Sequence, residues 1–159
     1  MQVSSRHHLR SDEVSAIQDT LADRLGIDVE ADALELAELA DEDFDVGLVD
    51  GEALVWYPED EPFLTVRGAN VFEPTKYLVT VDAGAISFVS DGADVMRPGI
   101  TEADPDIEAG DLVIVVEESH GKALAVGRAL TDGSDMVGEA GKVVESLHHV
   151  GDELYAFEV

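Results

Sequence analysis

The sequence predicts an α+β protein, with an N-terminal α/β domain over residues 1–75 followed by a mixed β-barrel domain over residues 76–159. Short apolar runs rich in valine, leucine and isoleucine recur along the chain and alternate with glycine-containing turns, which is typical of strands. Pro74 interrupts this pattern and marks the expected domain boundary. Many short strands with one or two small helices favour a barrel for the second domain.

The first ten residues form the most basic stretch of the chain and predict an edge strand or an ordered arm. His7 and His8 are adjacent, which raises the possibility of a metal site. Neighbouring residues of a strand point to opposite faces, so two adjacent histidines do not easily share one metal ion. We therefore expect no metal site here.

A helix is predicted next, because four apolar residues recur at spacings of three and four: Val14, Ile17, Leu21 and Leu25. Ser11 is a suitable N-cap, and Gly26 is a suitable stop. The helix is expected to pack on a sheet.

Residues 33–57 are predicted to form strands, with a hairpin at Asp50-Gly51. Aspartate and glycine tolerate the positive φ angles that a two-residue hairpin turn needs. Trp56, the only tryptophan, is expected in the core. The pattern leaves the conformation of residues 63–72 open.

The stretch from Asp82 to Gly99 is expected to organise the second domain. Asp82 is a candidate N-cap for a short amphipathic helix that ends at Gly92. A brief strand follows and ends in a turn at Arg97-Pro98-Gly99. The apolar run 112–116 predicts a strand that is buried on both faces. Further strands are predicted at 123–130 and in a final hairpin, 143–150 with 154–159.

The charge of the chain is extreme, with 36 acidic and nine basic residues and a formal net charge of −27. Acidic residues occur throughout both predicted domains, which indicates an acidic surface rather than an acidic tail. We expect a cytoplasmic protein adapted to molar salt, where the Debye length of about 3 Å screens the repulsion. The chain has no cysteine and no apolar run long enough to span a membrane.

No enzyme class is indicated by the sequence. The chain has no phosphate-binding glycine loop, no nucleophile elbow and no zinc-protease motif. Carboxylates are so abundant that any fold brings some of them together by chance. We therefore expect a non-catalytic protein without a cofactor.

Three segments of the second domain resemble the PUA domain, a small RNA-binding module: Gly92–Ile100, Gly110–Val113 and Ala125–Ala129. The opening, Ser5–Arg10, and the ending, Leu147–Leu154, look like archaeal two-domain PUA proteins. Those proteins are similar to the malignant-T-cell-amplified family of translation re-initiation and recycling factors. Near residues 64–67 that family tends to have a proline-threonine-leucine-arginine segment, whereas this chain has Leu-Thr-Val-Arg.

The resemblance implies a protein that binds tRNA or small-subunit ribosomal RNA through the first helix of the PUA domain and the adjoining strand and turn. Eight residues are the candidate RNA-binding set, the last three of them flanking the face: Gly92, Asp94, Met96, Arg97, Pro98, Arg128, Lys142 and His148. Arg97 offers a planar, bidentate contact to phosphate or base. A surface ion pair for Arg97 and a core position for Met96 are the alternatives.

Two other functions remain open at this stage. The N-terminal domain is a candidate docking site for a translation factor, which would make the protein chiefly an interaction module. Alternatively, the protein is an accessory subunit of an RNA-modification enzyme.

The charge leads to a test of salt adaptation. We expect the melting temperature to be clearly higher in about 2 M KCl than in about 0.1 M KCl, because the Debye length falls from about 10 Å to below 3 Å. Thermal unfolding, monitored by circular dichroism, measures the melting temperature at each salt concentration. An unchanged melting temperature would contradict the proposed adaptation to high salt.

Overall fold

The computed structural model describes all 159 residues, which form two compact units. The first unit contains Met1–Pro74 together with the last four residues, Ala156–Val159, and the second contains Thr75–Tyr155. The sequence pattern did not predict that the chain end belongs to the first unit. Within that unit, Phe157 is buried and its carbonyl oxygen accepts a hydrogen bond from Arg67 Nη1 at 3.4 Å.

The first unit contains a five-stranded antiparallel sheet and two helices. The strands, in their spatial order, are β1 (Val3–His8), β2 (Leu34–Leu39), β3 (Val46–Val49), β4 (Glu52–Trp56) and β5 (Phe63–Leu64). The helices are α1 (Ser11–Leu25) and α2 (Val66–Phe72). Because every strand pair is antiparallel, the unit is not α/β in the parallel-sheet sense. None of the helices of the protein is long and apolar enough to cross a bilayer.

Local chemistry explains the elements of the first unit. Gly26 ends α1 in the left-handed conformation, with φ 68°. Asp50 and Gly51 have φ angles of 50° and 87°, which is the predicted hairpin turn between β3 and β4. The segment that the pattern left open contains β5 and α2, and Thr65 caps α2 by accepting a 3.0 Å hydrogen bond from Gly68 N. Trp56 lies in the core as expected.

The second unit contains a six-stranded mixed sheet and one short helix. Its elements, in chain order, are β6 (Leu78–Val81), α3 (Ile86–Ser90), β7 (Val95–Met96), β8 (Ile100–Ala103), β9 (Leu112–Glu117), β10 (Ala123–Ala129) and β11 (Lys142–His149). The spatial order is β7-β11-β10-β9-β6-β8, with only β6 and β9 parallel. All six residues of β9 are buried, as its apolar run predicts.

The connection between β7 and β8 requires the sheet to curl. These two strands form the opposite edges of the sheet, yet only Arg97–Gly99 separate them in the chain. Three residues span about 10 Å even when fully extended. The two edges therefore lie close together, and the sheet is a nearly closed barrel with valine, isoleucine and leucine side chains inside.

The predicted final hairpin is wrong. The chain turns after β11 and forms no further strand. The Asp152 carboxylate stabilises this turn, because it accepts hydrogen bonds from His149 N at 2.9 Å and Tyr155 N at 2.8 Å. A local cap of this kind competes with strand pairing.

The division into units leads to a fragment test. We expect residues 75–155 to fold alone in high salt and to give dispersed amide NMR signals, because their core residues lie within one unit. The matched fragment 1–74 lacks Phe157 and should be less stable than the same fragment with residues 156–159 supplied as a peptide. A collapsed spectrum for 75–155 would mean that the units share one cooperative core.

Candidate nucleic-acid interface

The stretch from Asp82 to Gly99 encloses a cleft of about 370 Å³ on the second unit. Its walls come from a 3-10 turn (Ala83–Ala85) and helix α3 on one side and from β7 and the following turn on the other. The lining residues are Asp82, Gly84, Ala85, Phe88, Val89, Ala93, Asp94, Val95, Met96, Pro98 and Gly99. The volume falls in the lower part of the range of small-ligand pockets, about 300–1,000 Å³.

The two ends of the stretch are tied together. Asp82 Oδ1 accepts a 3.0 Å hydrogen bond from Ala85 N, which starts the helical segment as the sequence predicts. Asp82 N donates to Gly99 O at 2.9 Å. A side chain at Gly99 would meet Ala85 Cβ at 3.0 Å, so a glycine lets the turn pack against the helical segment. These contacts within the stretch therefore fix the shape of the cleft.

The cleft presents two large apolar side chains to solvent. Phe88 is 67% exposed and Met96 is 48% exposed. Side chains alternate between the two faces of β7, which explains the exposure of Met96, because its neighbour Val95 points into the barrel and is buried. Met96 is thus not the core residue of the alternative interpretation. Exposed apolar side chains around a concave surface are typical of binding sites.

Charged groups at the cleft are few and mainly acidic. Asp82 and Asp94 line it, and no lysine or arginine does. Lys142 lies opposite Met96 in the pairing of β7 with β11, and its Nζ is 3.3 Å from Asp94 Oδ2. Asp94 Oδ1 accepts a 2.8 Å hydrogen bond from Ser146 N. β11 therefore fixes the Asp94 carboxylate and brings one cation to its side.

Arg97 contacts a glycine-rich loop of the protein itself. Its Nε donates to Asp135 O at 2.8 Å and its Nη1 to Ala140 O at 2.9 Å. A side chain at Gly141 would lie 2.8 Å from Nη1, so the loop closely surrounds the guanidinium. Arg97 therefore holds the loop through backbone carbonyl oxygens, in place of the surface ion pair considered from sequence. Its contact with RNA stays a prediction.

The other candidate residues divide into two groups. The structure brings Asp94, Met96, Pro98 and Lys142 together at the cleft. Gly92 does not line the cleft. It has φ 95° at the end of α3, and a side chain there would lie 2.7 Å from His149 Nε2. Arg128 Nη1 donates to Gly110 O at 3.0 Å, away from the cleft lining.

His148 is an interior residue, only 1% exposed, and so its side chain is not on the flanking surface. Its Nδ1 lies 2.8 Å from Asp152 Oδ2. Burial raises the pKa of the Asp152 carboxyl, but the His148 ring and the amides of His149 and Tyr155 outweigh burial and hold that pKa below its usual range. The pair stabilises the turn after β11.

Phe88 is the main site residue that sequence reasoning did not identify. The predicted amphipathic segment has four apolar members, Ala85, Ile86, Phe88 and Val89, and their spacing alone does not single out Phe88. A helix of five residues buries only one narrow face, and Val89 is the member that is fully buried. Three apolar residues, Ile86, Phe88 and Val89, in such a short helix are the signal that one of them faces outward.

The chain is similar in sequence to several known proteins. The PUA domain model matches residues 77–151. An uncharacterized protein of Methanocaldococcus jannaschii is 42% identical over 118 residues, which cover 74% of this chain and 73% of that protein. Translation machinery-associated protein 20 of Saccharomyces cerevisiae is 35% identical over 118 residues, covering 70% of this chain. The match spans only 65% of the yeast protein's length.

A solved structure resembles the whole chain. The conserved PUA domain protein of Thermoplasma acidophilum has a TM-score of 0.82 and 29% identity, and the match covers 96% of this chain and 98% of that one. These results confirm the resemblance to PUA domain proteins and to translation-associated homologues, including the malignant-T-cell-amplified proteins. The adaptation to molar salt and the resemblance to archaeal two-domain proteins in particular stay predictions.

The contacts of Arg97 lead to a stability test. We expect Arg97→Ala to lower the free energy of unfolding by about 1.5–3 kcal/mol, the range for hydrogen bonds to charged groups. Urea unfolding in about 2 M KCl measures it. Arg10→Ala is the control, because the ion pairs of the Arg10 side chain are exposed and their loss should cost about 0–1 kcal/mol. Equal stability of Arg97→Ala and the parent would contradict the role of Arg97 in holding the loop.

Proposed function

This chain belongs to the family of PUA domain proteins represented by its Methanocaldococcus jannaschii relative, and on that premise we propose that it is a non-catalytic RNA-binding protein of translation. Its proposed ligand is tRNA or small-subunit ribosomal RNA, bound at the cleft formed by residues 82–99. The observation that carries the proposal is the pair of exposed apolar side chains, Phe88 and Met96, on the walls of that cleft.

The chemistry of the cleft suits an unpaired RNA base. Proteins bind single-stranded RNA by stacking splayed bases on aromatic side chains and by hydrogen bonds to base edges. Phe88 supplies an exposed aromatic ring, and Met96 and Pro98 supply apolar contacts on the opposite wall. Lys142 is the cation beside the cleft and is our candidate for a backbone phosphate contact.

The salt of the cell matters for this proposal. A protein with net charge −27 repels RNA at low salt. In molar salt the release of counterions contributes little to affinity, and short-range stacking and hydrogen bonds dominate. Binding measurements therefore belong in about 2 M KCl.

The prediction concerns Phe88. We expect Phe88→Ala to weaken binding of fluorescein-labelled tRNA or small-subunit RNA about tenfold in about 2 M KCl, since stacking of one base contributes about 1–3 kcal/mol. Fluorescence anisotropy measures the affinity. Leu130→Ala is the matched control, because Leu130 is an exposed apolar residue of the same unit that does not line the cleft.

Two negative results would distinguish an error in the location of the RNA site from an error in the proposed function. Equal affinity of Phe88→Ala and the parent would move the RNA site away from the cleft. Absence of RNA binding by the parent would contradict the proposed function as a whole.

A second candidate function is docking of a translation factor through the N-terminal unit. One observation favours it: β1 is an edge strand, and all six of its residues are exposed. An edge strand offers unpaired backbone groups to an added strand. Copurification of a translation factor by a parent protein that binds no RNA would support this alternative.

A further inference from the structure

Asp94 is a cleft residue whose two carboxylate oxygens are both held by contacts while the side chain stays accessible. Its side chain is 35% exposed, and its two oxygens contact Ser146 N at 2.8 Å and Lys142 Nζ at 3.3 Å. A carboxylate has about four acceptor positions, so two contacts leave acceptor capacity for a ligand. The residue therefore presents an oriented hydrogen-bond acceptor to whatever enters the cleft.

The remaining walls decide what kind of group enters. They are largely apolar, and the second carboxylate, Asp82, already caps the helical segment through Ala85 N. With two carboxylates and no lysine or arginine among the lining residues, the interior of the cleft opposes a phosphate. A flat, uncharged group with apolar faces and N–H donors on its edge is the complementary ligand.

Among RNA bases, those with an exocyclic amino group have this chemistry. Cytosine, adenine and guanine each carry an amino donor, and carboxylates accept from the amino group of cytosine. Uracil has no amino group and carries carbonyl oxygens on both sides of its single ring N–H. A carboxylate that accepts from this ring N–H lies close to a carbonyl oxygen of uracil, and the repulsion between the oxygens weakens the contact.

We infer that Asp94 determines base specificity, so that the cleft selects an unpaired RNA base with an exocyclic amino group and discriminates against uracil. The inference rests on the proposed RNA-binding function and names the ligand of the same cleft. Lys142 has a positioning role for the carboxylate. Discrimination arises because a site that is built to accept a hydrogen bond loses affinity for an analogue without the donor.

The experiment uses short fluorescein-labelled homopolymers of cytidine, adenosine and uridine in about 2 M KCl. We expect the full-length protein to bind the cytidine and adenosine oligomers about tenfold more tightly than the uridine oligomer. An oligomer of purine riboside lacks the 6-amino group and otherwise matches adenosine. It should bind about tenfold more weakly than the adenosine oligomer, and this comparison needs no protein variant.

The matched variants are Asp94→Asn and Phe88→Ala. The asparagine retains an acceptor for Ser146 N and presents an amide donor that uracil oxygens accept, so the preference for cytidine over uridine should fall to about threefold or less. Phe88→Ala should weaken all oligomers by a similar factor and leave their order unchanged. Melting temperatures verify that both variants are folded.

Each failure has its own meaning. Equal binding of all four oligomers by the parent would overturn the role of Asp94 while leaving RNA binding intact. A uniform loss of affinity in Asp94→Asn, with the preference retained, would make Asp94 structural and also overturn the inference. If the parent binds none of the oligomers or the larger RNAs, the proposed function itself fails.

Discussion

The short connection between β7 and β8 is the constraint on which the second unit depends. The two edge strands of a six-stranded sheet are joined by three residues, Arg97–Gly99, so the sheet cannot stay open. Closure removes most of the exposed sheet edge and encloses Val113 and Val115 of β9 in the core of the barrel. Proline presets the backbone of the turn, and the missing side chain of Gly99 lets it approach Ala85.

The same connection also forms one wall of the cleft. Pro98 and Gly99 line it directly, whereas Arg97 points the other way and binds the carbonyl oxygens of Asp135 and Ala140. The loop before β11 is thereby held where β11 begins, next to Lys142. Because Lys142 and Ser146 of β11 hold Asp94, the closure of the barrel and the orientation of the acceptor in the cleft are linked through one strand.

Local chemistry in the sequence predicted much of this fold, and long-range packing explains what it did not predict. The cap at Asp82, the stop at Gly92 and the turn at Asp50-Gly51 follow from side-chain and φ preferences that act within a few residues. The burial of His148 and the capped turn at Asp152 depend on what packs around the end of β11, which a linear pattern does not contain.

The sequence pattern predicted the segment that lines the cleft, but it did not predict which of its side chains face the cleft. Residues 82–99 do form the cleft, but charge was the main guide to its contacts, and charge selected Arg97 over Phe88. In a chain with nine basic residues, a cation is easily consumed by internal hydrogen bonds, as Arg97 is. An RNA site suited to molar salt needs few cations, because screening weakens long-range attraction and leaves contact interactions largely intact. Under the proposed RNA-binding function, apolar walls with one oriented acceptor therefore suit this acidic protein better than a basic patch would.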